Sequence, residues 1–254
     1  MIIDTHAHTN FLDFKDDYKD VIQRALDDGV WMINASSNLE NAMKAVHLAN
    51  HYKEGVFAAV GQHPIHEGGG DVDYDTFEKL ARDPKTVAIG EVGLDYFHMK
   101  QGTKEGQHAM LRRFIDIACS VDKPAIIHCR NAYEDLLKVL HEAKRQHPHF
   151  SCVMHFFAGS KEVLREVLDM GFYVSFTGVI TFAREYDERI RMVPDDRIMA
   201  ETDCPFVAPE PFRGKRNEPL YVKQVIQKMA DVRGVSFDDM ARITTKNAKR
   251  FFRI

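Results

Sequence analysis

Eight short runs of β-branched and aliphatic residues, near 2–6, 31–35, 56–61, 86–91, 124–129, 151–156, 172–177 and 197–202, alternate with longer amphipathic stretches. That alternation constrains the chain more than any other feature. Short apolar runs separated by helical patterns read as βαβ units, because a parallel partner strand is reached only through a crossover connection. Helices are expected near 15–28, 39–53, 74–82, 105–121, 131–146, 160–170 and 182–192, with two more near 218–232 and 236–251. Asn131 with Glu134, and Ser236 with Asp239, are spaced as capping boxes. Gly29, Gly55 and Gly171 follow helical stretches, where glycine suits a left-handed cap. Eight such units in 254 residues predict one α/β domain spanning residues 1–254, a (β/α)8 TIM barrel. A doubly wound sheet is the rival, but no G-x-G-x-x-G follows the first strand.

Composition narrows the function. A hydrophobic fraction of 44% supplies a buried core, and a net charge of −4 leaves no broad cationic face for gripping long nucleic acid. A nucleic-acid end held by a metal and a few arginines stays compatible with that charge. The four cysteines, at 119, 129, 152 and 204, form no C-x-x-C pair, which reads as reduced thiols and no structural zinc site. No cationic leader precedes an apolar stretch, and no run approaches the ~20 apolar residues of a membrane span. A soluble cytoplasmic protein without a membrane partner is expected, with a monomer favoured.

In a TIM barrel the active site forms at the C-terminal strand ends, so polar residues there carry the chemistry. The first strand ends in His6 and His8, which share a face if the strand is regular. The third runs into Gly61-Gln62-His63-Pro64, the fourth ends in Glu91, the fifth in His128, the sixth in His155 and the eighth in Asp203. Buried unpaired ionisable groups are costly, and a metal removes that cost. Two histidines plus Asp203 would hold one divalent ion, His128 plus His155 a second, and Glu91 would bridge them. Mixed nitrogen and oxygen ligation suits zinc or manganese, and magnesium less comfortably. The implied chemistry is hydrolysis by a water that the ions acidify to hydroxide. Asp203 has a second possible role as the base that takes the water's proton. Glu201, two residues earlier, either orients a histidine ligand or makes a buried ion pair. His47, His51, His141, His147 and His149, on helices or in polar turns, read as solvent-facing.

With H-x-H at 6–8, GQHP at 61–64, GEVGLDY at 90–96, IIHCR at 126–130, His155 before Phe-Phe-Ala-Gly, SFTGVITF at 175–182 and ETDCPF at 201–206, the chain resembles the TatD family of metal-dependent deoxyribonucleases across its length. The resemblance implies that His6, His8, Glu91, His128, His155 and Asp203 are metal ligands, with Glu91 bridging and acting with Asp203 in catalysis. It places His63 on the substrate side or behind a ligand, against the alternative of a loop histidine held by Pro64. It also implies hydrolysis of DNA phosphodiesters, with two divalent ions (Mg, Mn or Zn) as cofactors and single-stranded 3′ ends as substrate. Two departures stand out: Phe-Phe-Ala-Gly after His155, and residues 97–103. Neither falls on a ligand position.

Arg130, and Arg216 with Lys215 in the proline-rich stretch 204–219, are candidates for gripping phosphate; solvated surface charge is the alternative for the loop pair. Tyr96, Phe97 and Phe206 either stack on terminal bases or pack under loops. The ligand set does not separate phosphorus from carbon as electrophile, so an ester or amide hydrolase such as an aminoacyl-tRNA deacylase is the first alternative. A non-catalytic, metal-stabilised binding protein is the second. A catalytic thiol is disfavoured, because Cys129 and Cys204 neighbour ligands but alternate away from them. The glycines 68–70 read as a mobile loop or a simple turn insertion.

Overall fold

The computed structural model describes residues 1–68, 71–99 and 102–254. Gly69 and Gly70 of the glycine run, and Lys100 and Gln101 of the departing segment, lie outside the described residues. Eight parallel strands follow one another in a single sheet: β1 (Ile2–Ala7), β2 (Val30–Ala35), β3 (Val56–Val60), β4 (Thr86–Asp95), β5 (Ala125–Arg130), β6 (Cys152–Met154), β7 (Tyr173–Phe176) and β8 (Ile198–Ala200). The helices are α1 (Tyr18–Asp27), α2 (Leu39–His51), α3 (Tyr74–Ala81), α4 (Lys104–Ser120), α5 (Tyr133–Gln146), α6 (Lys161–Asp169), α7 (Asp187–Met192), α8 (Val222–Arg233) and α9 (Phe237–Phe252). The edges meet through the backbone: Asp203 N donates to His6 O at 2.9 Å and His8 N to Cys204 O at 2.9 Å. This is the expected (β/α)8 barrel.

Side-chain alternation sorts the strands into two cores. Met32, Val56, Ala58 and Ile127 pack outward against the helices. Ile3, Ile33, Ile126, Val153 and Met199 face one another inside, and Phe251 and Phe252 of α9 join that inner cluster. Along β5 and β6 regular alternation carries the inward face from Ile126 to His128 and from Val153 to His155. On β1 and β4 it does not. One extra residue lies between Asp4 and Ala7 opposite β2, and another between Ile89 and Val92 opposite β5. Each bulge shifts the parity, so that Ile3 and His6, or Ala88 and Glu91, three residues apart, share the interior.

Helix starts follow side-chain chemistry. Asn38, Asp73, Thr103, Ser160 and Ser236 each accept a hydrogen bond from a backbone N–H of the first turn. Ser236 caps its helix, accepting from Asp239 N while its hydroxyl donates to the Asp239 carboxylate, but Asn131 does not cap. Asn131 has φ +56°, whereas an N-cap needs extended backbone, and the cap position falls to Ala132 with no side-chain bond. Gly29 and Gly171 adopt φ of +71° and +79° just past their helices. Gly55 also has positive φ, at +82°, but lies beyond the Tyr52 cap. The helix expected near 182–192 is only α7, preceded by 3-10 turns at Gly178–Thr181 and Arg184–Tyr186. Among the described residues no helix is long and apolar enough to cross a membrane.

Candidate metal centre

Six strand-end residues singled out in the sequence converge on one point, with Glu91 at its middle. Glu91 Oε2 lies 3.3 Å from His6 Nε2 and 3.9 Å from His8 Nε2. Its other oxygen, Oε1, lies 2.8 Å from His128 Nδ1, 3.2 Å from His155 Nε2 and 3.3 Å from His63 Nε2. Asp203 Oδ1 completes the first side, 3.3 Å from His8 Nε2 and 3.7 Å from His6 Nε2. Donor atoms of His6, Glu91 and His155, and of His6, His8 and Asp203, are close enough to surround an ion.

The outward nitrogens of three rings are fixed. His8 Nδ1 meets the Ala35 carbonyl at 3.0 Å; a carbonyl only accepts, so Nδ1 carries the hydrogen and Nε2 presents a lone pair. His155 Nδ1 meets Glu201 Oε1 at 3.0 Å, and His128 Nε2 meets Asp95 Oδ2 at 3.1 Å. Lone pairs aimed at one another and at carboxylates are what a cation requires. His6 Nε2 and His8 Nε2 are 3.0 Å apart, a convergence that a shared cation would satisfy. The donor set therefore fits divalent ions.

His63 differs from the other rings. Its Nδ1 accepts from the Ile65 backbone N–H at 3.2 Å, so Nε2 carries the hydrogen and faces Glu91 as a donor. The Nε2 position is thus protonated, unlike that of a ligand.

Electrostatics follow from this crowding. Burial alone would raise Glu91, but His63, His155 and His128 outweigh it and hold the carboxyl well below the usual range. Burial lowers His6, reinforced by His155, whose ring stacks on it at 3.8 Å between centroids. For Asp203, burial is opposed by His8, His155 and His6, and the carboxyl is lowered. Burial pushes the Cys129 thiol up to about 12 and the Cys204 thiol well above its ordinary value, in keeping with inert cysteines.

A cavity of about 600 Å³ opens over these groups, lined by His63, Arg130, Phe156, Asp203 and Phe206 among others. A second cavity of about 510 Å³ lies near the strand starts Pro124, Ser151 and Tyr173, away from the histidines. Arg130 reaches the first cavity, with its guanidinium 4.5 Å from the Phe97 ring centroid. Arg216, the loop candidate for gripping phosphate, is engaged within the chain. It bonds both Asp17 oxygens and the Asp13 carbonyl, pinning the proline-rich loop to the start of α1. Tyr96 is held by its hydroxyl, which donates to Asp135 and meets His108 Nε2 at 2.6 Å.

Two residues that the strand-end reading passed over complete the network. Asp95 is 0% exposed and accepts from the backbone N–H groups of Phe97 and His98, with His98 Nδ1 at 2.9 Å. Gln107, also fully buried, accepts from Asp95 N and donates to Asp95 O and Pro64 O. The Asp of Gly-Leu-Asp-Tyr was a visible signal for the first. Nothing local marks Gln107, whose role depends on α4 docking against β4.

A family model described as TatD related DNase matches residues 3–253. The uncharacterized metal-dependent hydrolase YabD of Bacillus subtilis is 40% identical over 258 residues, covering 100% of both chains. The 3′-5′ ssDNA/RNA exonuclease TatD of Klebsiella pneumoniae is 31% identical over 251 residues, covering 95% of this chain and 94% of its own. Among solved structures, YJJV, a TatD homolog from Escherichia coli, matches with a TM-score of 0.89 at 28% identity, over 100% of this chain and 98% of that one. The barrel, the histidines gathered around Glu91 and these relationships lead to one conclusion: the chain belongs to the TatD-related DNase family of metal-dependent hydrolases.

Proposed function

We propose that the chain is a deoxyribonuclease that hydrolyses phosphodiester bonds of single-stranded DNA from the 3′ end, working as one domain over residues 1–254. The observation that carries this reading is the division of Glu91, one oxygen toward His6 and His8 and the other toward His128 and His155, beneath a cavity that Arg130 enters. His6, His8, Asp203 and Glu91 would hold one divalent ion, and Glu91, His128 and His155 another. Such ions supply an acidified water and neutralise charge on the phosphoryl oxygens. The chain's own groups do the rest. Asp203, which lines the cavity, takes the proton of the attacking water on its carboxylate and passes it to the sugar oxygen released as the P–O bond breaks. His63 offers its Nε2 hydrogen and Arg130 its fork of N–H groups to the non-bridging oxygens. Glu201 orients His155 from behind. The 31% identical TatD, named an exonuclease on single strands, supports the choice of substrate.

The test follows a short end-labelled single strand with ions stripped and restored, in wild type and Glu91→Gln. A shortening ladder that needs metal and is lost in the variant supports the reading. Intact DNA across magnesium, manganese and zinc would overturn it and turn attention to esters and amides.

A further inference from the structure

Most arginines of the described residues are tied to carboxylates or backbone carbonyls, as Arg24 is to Glu218, Arg112 to Glu142, Arg216 to Asp17 and Arg233 to Asp195. At the C-terminal rim of the barrel two are not. Arg130 lies against Phe97, and Arg213 lies over Phe182 with its guanidinium carbon 3.5 Å from the ring centroid. Neither makes an ion pair among the described residues. An exposed arginine seated over an aromatic ring leaves N–H groups free while its conformation is restricted, so less freedom is lost when an anion binds.

The segment bearing Arg213 is built to hold it still. It begins at Asp203, and its Phe206 and Val207 line the metal cavity. Asn217 donates to Thr202 O and Phe206 O, closing the base of the loop. Glu210 N donates to Thr181 Oγ1, joining the loop to the turn that carries Phe182. Phe212, beside Arg213, stacks on Tyr221 at 3.9 Å and 5° between planes. Anchors on both sides thus fix an arginine that makes no ion pair among the described residues, on a loop that starts in the metal cluster.

We infer that Arg213, seated on Phe182, binds a backbone phosphate of the retained strand, outside the cavity where the scissile bond sits. The inference rests on the polynucleotide reading above and adds a direction to it. The uncleaved strand leaves the metals across the loop after β8, toward the turn after β7. The ligand class is a phosphodiester polyanion of several nucleotides, because Arg213 is not among the residues that line the metal cavity.

The test compares binding of a phosphorothioate-blocked single strand of roughly ten nucleotides, within the span of known single-strand sites, with binding of the corresponding dinucleotide. Both are measured by fluorescence anisotropy on the metal-loaded protein. Arg213→Ala should cut the preference for the longer strand about tenfold, as loss of one charged hydrogen bond does. It should also lower the slope of log affinity against log salt by about 0.7, one phosphate's share. Phe182→Leu should lose part of both, and Arg213→Lys should keep the slope while losing part of the preference. Unchanged thermal melting controls for folding. A longer strand bound by Arg213→Ala with wild-type preference and slope overturns the inference while leaving the nuclease reading intact. Wild type that does not bind the blocked longer strand and does not cleave its unblocked counterpart overturns both.

Discussion

Glu201 Oε1 lies 3.0 Å from His155 Nδ1 and 2.6 Å from the Phe156 backbone nitrogen, so one buried carboxylate fixes both the ring and the chain that follows β6. Its other oxygen accepts from Ser175 Oγ at 2.6 Å, tying β7 into the same contact. Glu201→Gln should keep the fold but weaken divalent binding about 10–100-fold, the usual consequence of losing a carboxylate behind a ligating histidine. Calorimetric titration of the metal-free variant measures it. Wild-type affinity would mean that His155 is not a ligand or needs no such support.

The tautomer of His63 separates two roles. Because its Nδ1 takes the Ile65 N–H, its Nε2 is a donor. His63→Ala should therefore retain the metal content of wild type while turnover falls about 10²-fold or more, as for other preorganised donors. His63→Gln, whose amide can replace the donor, should recover part. Loss of one metal equivalent in His63→Ala, measured by elemental analysis, would make it a ligand instead.

Metal binding should be proton-linked. In the metal-free protein burial pulls His155 down, yet Glu201 and Glu91 outweigh burial and hold it well above the ordinary 6.5. A raised folded value means that the protonated ring contributes stability that is fully present below pH 6.5 and lost as pH rises through the folded value. An ion must displace that proton, so affinity climbs with pH until the raised value is passed. Calorimetry near neutral pH in buffers of different ionisation heat should show net proton release, and zero release would contradict the assignment.

Much of the site was legible because β5 and β6 alternate regularly: reading every second residue leads from Ile126 to His128 and from Val153 to His155. The same rule fails on β1 and β4, where a bulge restores the inward aim of His6 and Glu91, and a bulge leaves no local mark in sequence. His6 was found through its two-residue spacing from His8, whose ring it meets, and Glu91 through its chemistry. The ion pair of Arg216 was not legible, because sequence shows a loop cation but not that Asp17, 199 positions earlier, folds beside it. Asn131 looked like a cap by spacing, and only its left-handed backbone removes it.

Gln107 shows what lay beyond sequence reading. Its amide satisfies the N–H and carbonyl of Asp95 and the carbonyl of Pro64, all by interactions at least 12 residues distant. Gln107→Leu should cost about 3 kcal/mol by leaving buried polar groups unpaired, lowering Tm by roughly 6–12 °C for a chain of this size. It should also loosen Asp95 from His128. A melting shift near zero would show that water replaces the amide.

Glu91 as the carboxylate shared by two ions is the central claim, and anomalous diffraction from crystals soaked with manganese or zinc tests it most directly. The expected result is two peaks about 3.5–4 Å apart, as in other two-metal hydrolase sites, one on each side of Glu91, with the first near His6, His8 and Asp203 and the second near His128 and His155. A single peak, or a pair not divided by Glu91, would contradict the account.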